Sequence, residues 1–385
     1  MALAYTPGLK RKELYIVRKI RRLPIQGEVL VKKGEKVVHT DVLARTNVPG
    51  RAHIIGAADI LGLFPDKRTG SCEVKAYMLK KEGAPIEKGE VIALKKEFFG
   101  LIKKPVISPI KGTIDYISDA SGQLILREPY IKVEIKAYVP GTIVDVLANE
   151  GAIVECPGAF IQGIFGLGGE TYGEIKMVAK STDEVLTAEQ IAPEFAGKVL
   201  IGGSLVTEDA LHRAVEVGVK GIVVGGIEED VLTKFLGYRV GVAITGTETT
   251  GLTLIVTEGF SKMRMSEGTF RLLGKFEGKL ACINGATQIR AGVIRPEIII
   301  PREDFDTSKV AELEKAEEIL RTGMKPGLPI RIIREPYFGA IGRVASLPVE
   351  LQTVETESEV RVLEAELDDG RRVIVPRANV ELIEE

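Results

Sequence analysis

The side chains best equipped for chemistry in this 385-residue chain fall in one segment, NGATQIRAGVIRPE, from Asn284 to Glu297. Thr287, Gln288, Arg290 and Arg295 set long or hydrogen-bonding groups among small residues. Such a pattern suits the gripping of a carboxylate, a phosphate or a partner's backbone, because a guanidinium offers paired donors to two oxygens. Asn284 opens the segment. Thr245 and Glu258 end the apolar runs VGVAIT and LTLIVTE, and they are expected to join it, since ligands of α/β sheets sit beyond the carboxyl ends of the strands. The same residues serve equally as an interdomain contact loop.

Two glycine pairs, Gly202-Gly203 and Gly225-Gly226, come just before helical patterns. They can present N–H groups to an anion or simply make tight turns; GGSLVTED has neither the lysine nor the spacing of a P-loop. The run GIFGLGGETYG, Gly163 to Gly173, reads as a phosphate loop or as a mobile loop at a domain boundary. His39, His53 and His212 lie in different segments, and no HExxH, Cys/His cluster or G-x-S-x-G is present. No metal or cofactor is expected and no catalytic residue is assigned, although acid/base work by carboxylates stays open. The three cysteines, Cys72, Cys156 and Cys282, are far apart and read as buried small hydrophobes of a reducing compartment.

Positive charge collects at one end. Residues 1–36 carry ten basic side chains, among them Lys10, Arg11, Lys12, Arg18, Lys19, Arg21 and Arg22, against three acidic ones. This excess of seven is suited to nucleic-acid phosphates or an acidic partner, or it is a solvated strand face.

The elements that must position these groups differ along the chain. From Leu23 to about Val178, short apolar runs alternate with period two between glycine turns, the pattern of half-buried strands. From 188 to 302 the period changes. VLIGG, GIVVGG, LTLIVTEG and ACING read as strands, and Thr207 caps a helix with Leu211, Ala214 and Val215 on its core face. Helices are also expected over Glu229–Leu236 and Ser266–Leu273. Near-continuous apolar strands alternating with helices predict a mostly parallel sheet covered on both faces. Asp306 to Gly323 reads as a linker helix capped by Thr307 or Ser308.

Within the first region one phrase recurs: GEVLVKKGEKVVHTDVLA from Gly27, KKEGAPIEKGEVIAL ending at Leu94, and PGTIVDVLANEGAIVECPGAFI from Pro140. These copies resemble the barrel-sandwich hybrid of biotinyl and lipoyl carrier domains, of insertions in large RNA polymerase subunits and of some membrane redox-pump subunits. Carriers of that fold hold their acyl cofactor on a hairpin lysine. Here the hairpin reads FFGLIKKP, and Lys103 and Lys104 are out of step with the carrier position.

From Lys325 onward, GLPIRIIREPYFGAIGRVASLP alternates Ile330 and Ile332 before a turn, and Gly342 precedes a second strand. RVLEAELDDGRRVIVP then carries a hairpin signal at Asp369-Gly370. This segment resembles the KOW domains of the transcription elongation factor NusG and of several ribosomal proteins, which implies an SH3-like barrel that contacts RNA, protein or both. Phe338 stands where that family often has a basic residue. Residues 325–385 hold eight basic and twelve acidic side chains, a balance poor for nonspecific phosphate binding. Arg331 and Arg334 remain candidates for a local nucleic-acid contact, and a protein-facing barrel is the other expectation.

The expected architecture is therefore multidomain: a basic barrel-sandwich-like β region (1–180), an α/β domain (188–302), a linker helix (303–324) and a KOW or SH3-like barrel (325–385). At 41.8 kDa several small cores fit better than one large core. No apolar run approaches the roughly 20 residues that cross a bilayer, so a cytoplasmic protein without membrane contact is expected. The leading functional expectation is a non-enzymatic interaction protein of the transcription or translation machinery, with protein partners and RNA or DNA met through the basic amino-terminal region. The alternatives are a small-molecule ligand protein or enzyme using the strand-end cluster of the central domain, and a subunit of a redox or carrier assembly.

Overall fold

The computed structural model describes residues 9–68, 70–98, 101–238, 250–287, 294–302, 324–334, 336–337, 339–353 and 359–384. Of these, 48% are in strands and 14% in helices, so β structure dominates. The strand expected at VGVAIT and the linker helix expected from Asp306 to Gly323 lie outside the described residues.

The first β region is two modules, one inserted in the other. Strand Val42–Val48 pairs with Ile131–Lys136, from Val48↔Ile131 to Val42↔Lys136. Between those two strands the chain leaves to build a separate sheet, in the order Ala52–Gly56, Gln123–Arg127, Gly112–Ser118 and Pro85–Ile86. A hairpin of Val91–Glu97 and Ile102–Ile107 completes the insertion. Helix α1 (Ala57–Leu61) seals a core of its own with Ile86, Ile92, Ile114, Leu124 and Leu126. The host module has a different core, which includes Val17, Leu43, Val139, Ile143 and Val154. Repeats that look serial in the sequence are thus nested in space.

The long strand Leu9–Arg22 lies antiparallel to Gly151–Gln162, from Arg11↔Ile161 to Arg22↔Gly151. Gly151–Gln162 then pairs with Glu297–Pro301, which pairs with Leu280–Asn284, which pairs with Glu170–Met177. Glu170–Met177 runs parallel to Val199–Ile201, and the ladder continues in parallel through Gly221–Ile227 to Thr253–Phe260. Hydrogen bonding therefore runs unbroken from the amino-terminal strand into the α/β layer, across the boundary expected near residue 180. The parallel strands match the expectation for this layer, while both of its flanks are antiparallel.

Alternation sends successive residues of each central strand to opposite faces. Leu200, Ile222, Val224 and Leu254 meet α2 (Glu208–Val217) and α3 (Glu229–Leu236) through Leu211, Ala214 and Leu232. Val199, Ile201, Val223 and Ile255 face the other way, toward Leu273 of α4 (Glu267–Lys275) and toward Ile161, Ile298 and Ile300. The Thr207 hydroxyl accepts the Ala210 N–H at 3.2 Å, a cap contributing about 1 kcal/mol. Val215, expected on the core face of α2, is 37% exposed, because Leu211 and Ala214 already define the stripe that meets the sheet.

The glycine run Gly163–Gly173 is ordered structure, which corrects the loop expectation. Phe165–Leu167 is a fully buried strand paired with Thr253–Phe260, and Glu170–Met177 follows at once. Its glycines permit close approach; a Cβ on Gly166 would stand 2.6 Å from the Gly285 oxygen.

The last part of the chain carries strands Pro329–Ile332, Ile341–Ser346, Glu359–Leu367, Arg372–Pro376 and Val380–Glu384, with one 3-10 turn, Arg377–Asn379, before the final strand. Ile330, Val344, Leu363, Val375 and Val380 form its core. Gly370 takes φ +84° in the turn between Glu359–Leu367 and Arg372–Pro376, as the Asp-Gly signal predicts. A Cβ on Gly342 would lie 2.3 Å from the Glu366 oxygen. The final strand also runs parallel to the start of the amino-terminal strand, Leu9↔Ile383. Among the described residues the sheet does not close into a barrel.

Candidate functional site

Those members of the expected ligand cluster that lie among the described residues grip their own chain. Thr245, Gln288 and Arg290 lie outside the described residues. Asn284 ends its strand, and its Oδ1 accepts the Ala286 N–H at 2.9 Å. Thr287 is buried; its hydroxyl accepts the Gly166 N–H at 2.9 Å and lies 3.2 Å from the Gly166 oxygen. Both residues pin the turn after the strand Leu280–Asn284.

Glu258 and Arg295 reach toward the carboxyl-terminal module instead. One Glu258 oxygen accepts the Ser266 N–H at 3.0 Å, and the other lies 3.2 Å from Arg331 Nη1. Arg331 Nη1 also donates to the Glu258 backbone oxygen at 2.8 Å, and Nη2 donates to Glu381 at 3.3 Å. Glu381 is paired in turn with Arg295. Two guanidinium groups and two carboxylates thus alternate in an interior where Arg331 is 1% exposed, Glu381 3% and Glu258 6%. Removing such charges from water costs several kcal/mol each, offset only when the partners are close and hydrogen-bonded. Arg331 Nε is the one buried polar atom of this group without a partner.

Arg331 is accordingly no surface contact for nucleic acid, which corrects that expectation. Strand alternation sends it away from Ile330 and Ile332, the face a sequence reading takes for solvent, but that face is docked on the central layer. Arg334 is exposed. Glu381 was missed, since nothing in PRANVELI separates a buried acid from a surface one.

The glycine pairs are sites of close packing. A Cβ on Gly203 would stand 2.4 Å from the Glu184 oxygen, one on Gly225 2.3 Å from the Met263 oxygen, and one on Gly226 2.1 Å from the Ser261 oxygen. Neighbouring backbone occupies the space an anion would need, so the tight-turn reading fits.

The basic amino-terminal strand is largely paired with acids from elsewhere in the chain. Arg18 meets Glu155 at 2.8 Å, Lys19 meets Glu297 at 2.5 Å, Arg22 meets Glu150 at 3.0 Å, and Arg21 makes a bidentate pair with Glu170 at 2.5 and 2.7 Å. Lys12 is buried, Lys10 Nζ donates to the Tyr15 hydroxyl, and Arg11 Nη1 donates to the Ser266 hydroxyl. Strand pairing brings acids from positions 150–170 and 297 alongside this strand, so much of its local charge excess is balanced there.

Beneath Lys19 and Arg21 lies Tyr138, with φ +69° and its ring 5.9 and 5.5 Å from the two cations. Burial, with Glu297 nearby, pushes its hydroxyl well above the ordinary value. His39 stacks edge-on against Tyr172 at 4.0 Å, and burial lowers its pKa. In the inserted module, Lys103 and Lys104 lie on the strand Ile102–Ile107, and Lys104 pairs with Glu97 at 3.3 Å.

A group of cations absent from any single sequence segment gathers where the carboxyl-terminal module meets α4 and the loop before it. One cleft of about 680 Å³ there is lined by Arg11, Arg271, Lys275 and Arg343, with Glu13, Glu267 and Asp368. A second joins it at Glu267 and brings Lys180, Asp183 and Arg264. A third joins at Arg264 and brings Lys262, Tyr337 and Arg371.

Among the described residues no His, Cys, Asp and Glu group is arranged to hold a metal ion, and no helix is long and apolar enough to cross a membrane. No protein-family model matches this chain, and no curated protein matches it.

Proposed function

We propose that this chain is a non-enzymatic interaction protein of the nucleic-acid machinery, working in transcription or translation. In this reading it combines nested barrel-sandwich modules, a central α/β layer and a carboxyl-terminal SH3-like β module of the KOW type whose sheet stays open among the described residues. The observation that carries the reading is the Arg331, Glu258, Glu381 and Arg295 network. Glu258 and Arg295, two of the groups suited to a small ligand, are engaged in holding the carboxyl-terminal module against the central layer, so the two act as one rigid platform. A surface presented by such a platform, rather than a pocket at the strand ends, is then the working part.

Affinity purification at native expression, with RNA and protein both identified, tests this. Recovery of ribosomal or polymerase subunits, or of RNA, is expected. Recovery of none of them overturns the proposal.

A further inference from the structure

Resting on that reading, we infer that the seam between α4 and the carboxyl-terminal module binds the phosphodiester backbone of single-stranded nucleic acid. The three clefts are contiguous through Glu267 and Arg264. Together they are lined by eight cations and four carboxylates; Lys275 is paired with Glu13, and Arg371 holds a fifth acid, Asp369, at 2.7 Å. A surplus of cations along a continuous track is what a polyanion requires, since each neutralised phosphate releases condensed counterions.

The cations come from positions 11, 180, 262–275, 343 and 371, and they converge in space. The Asp183 carboxyl is held below its ordinary value by the Ser181 hydroxyl first and by the charges of Lys262 and Arg264 in addition. Asp369 is held low by its hydrogen bonds from Arg371, with Arg264 contributing from across the seam. Arg264, Arg271 and Arg343 are exposed, so their guanidinium groups are open to a ligand.

The seam also has apolar wall. Leu272, Pro329, Ile341 and Ile383 line the first cleft, and Tyr337 stands in the third with Arg371 5.8 Å from its ring. Clefts that pair cations with apolar and aromatic surface accept a strand whose bases are unstacked, as base-to-aromatic contact contributes about 1–3 kcal/mol per base. Rigidity comes from below, because the Arg331 network fixes the distance between Arg271 on α4 and Arg343 on the carboxyl-terminal module.

The test is fluorescence anisotropy with labelled oligouridylate and oligothymidylate of roughly 12 nucleotides, over a range of salt. Binding by the full chain is expected, weakening as salt rises, with a slope near 0.7 per phosphate contacted. The triple variant Arg264→Ala, Arg271→Ala, Arg343→Ala should lose about tenfold or more in affinity and about two from that slope. Arg271→Glu alone, at an exposed helix position, should reproduce much of the loss with an unchanged melting temperature, while Arg18→Ala with Arg22→Ala should bind like the parent. The two oligonucleotides separate an RNA site from one that accepts either backbone. Failure to bind either oligonucleotide, or binding insensitive to the seam variants, overturns the inference. Recovery of ribosomal or polymerase proteins alongside that failure leaves the broader reading standing.

Discussion

Arg331 donates from Nη1 to the backbone oxygen of Glu258 at 2.8 Å and lies 3.2 Å from its carboxylate, although 72 residues separate the two in the chain. The contact welds the carboxyl-terminal module to the last strand of the parallel layer. A residue whose strand position reads as exposed becomes the most buried charge of the described residues.

Arg331→Met should therefore destabilise the protein by about 3–5 kcal/mol, because it leaves Glu258 buried without its cation and Glu381 with Arg295 alone. Adding Glu381→Gln to Arg331→Met should cost less than the two single losses combined. Urea denaturation monitored by circular dichroism measures this; a loss below about 1 kcal/mol for Arg331→Met would place the pair at a solvated surface.

Gly225→Ala forces a Cβ to 2.3 Å from the Met263 oxygen and 2.5 Å from the Met265 nitrogen. The loop preceding α4 must move, at a cost of about 1–3 kcal/mol. At Gly169 a Cβ meets nothing within 4 Å, so Gly169→Ala should stay within about 0.5 kcal/mol of the parent. Equal effects at the two sites would contradict the close-packing account of the glycine pair.

Burial pushes the Cys156 thiol up to about 12 and raises that of Cys282 as well. Thiolate is the reactive form, so neither residue should be alkylated by iodoacetamide at pH 8 in the native protein, and both should be alkylated in denaturant. Peptide mass spectrometry reads this directly, and rapid native labelling of either cysteine would disprove the packing described for the host β module.

His39 has its pKa lowered from 6.5, chiefly by burial and against the opposing charge of Asp41. Between that lowered value and 6.5 the unfolded chain binds the proton and the folded chain does not. Stability should therefore fall as pH descends through this window. His39→Gln should flatten that part of the stability profile, and an unchanged slope would show that another group governs it.

Much of the fold was legible in the residues alone. Near-continuous apolar runs in LTLIVTEG and GIVVGG marked strands, Thr207 and Ser266 marked helix starts, and Asp369-Gly370 marked a hairpin, because each depends on neighbours within a few residues. Glycine density at Gly163–Gly173 misled, since glycine permits both a loose loop and the close approach of two backbones, and only the partner strand distinguishes them. The charge count is incomplete for a related reason. A count over residues 1–36 sees lysines and arginines but not Glu150, Glu155, Glu170 and Glu297, which strand pairing places beside them.

The sequence by itself determined many of the local elements and the scarcity of catalytic motifs, matters of period, capping and composition. Tertiary structure alone decided which charges are spoken for and which are free to meet a partner. Electrostatic pairing acts over a few ångströms in space with no regard for chain separation. Arg331 was thereby withdrawn into a joint, and Arg264, Arg271 and Arg343 were assembled into a seam.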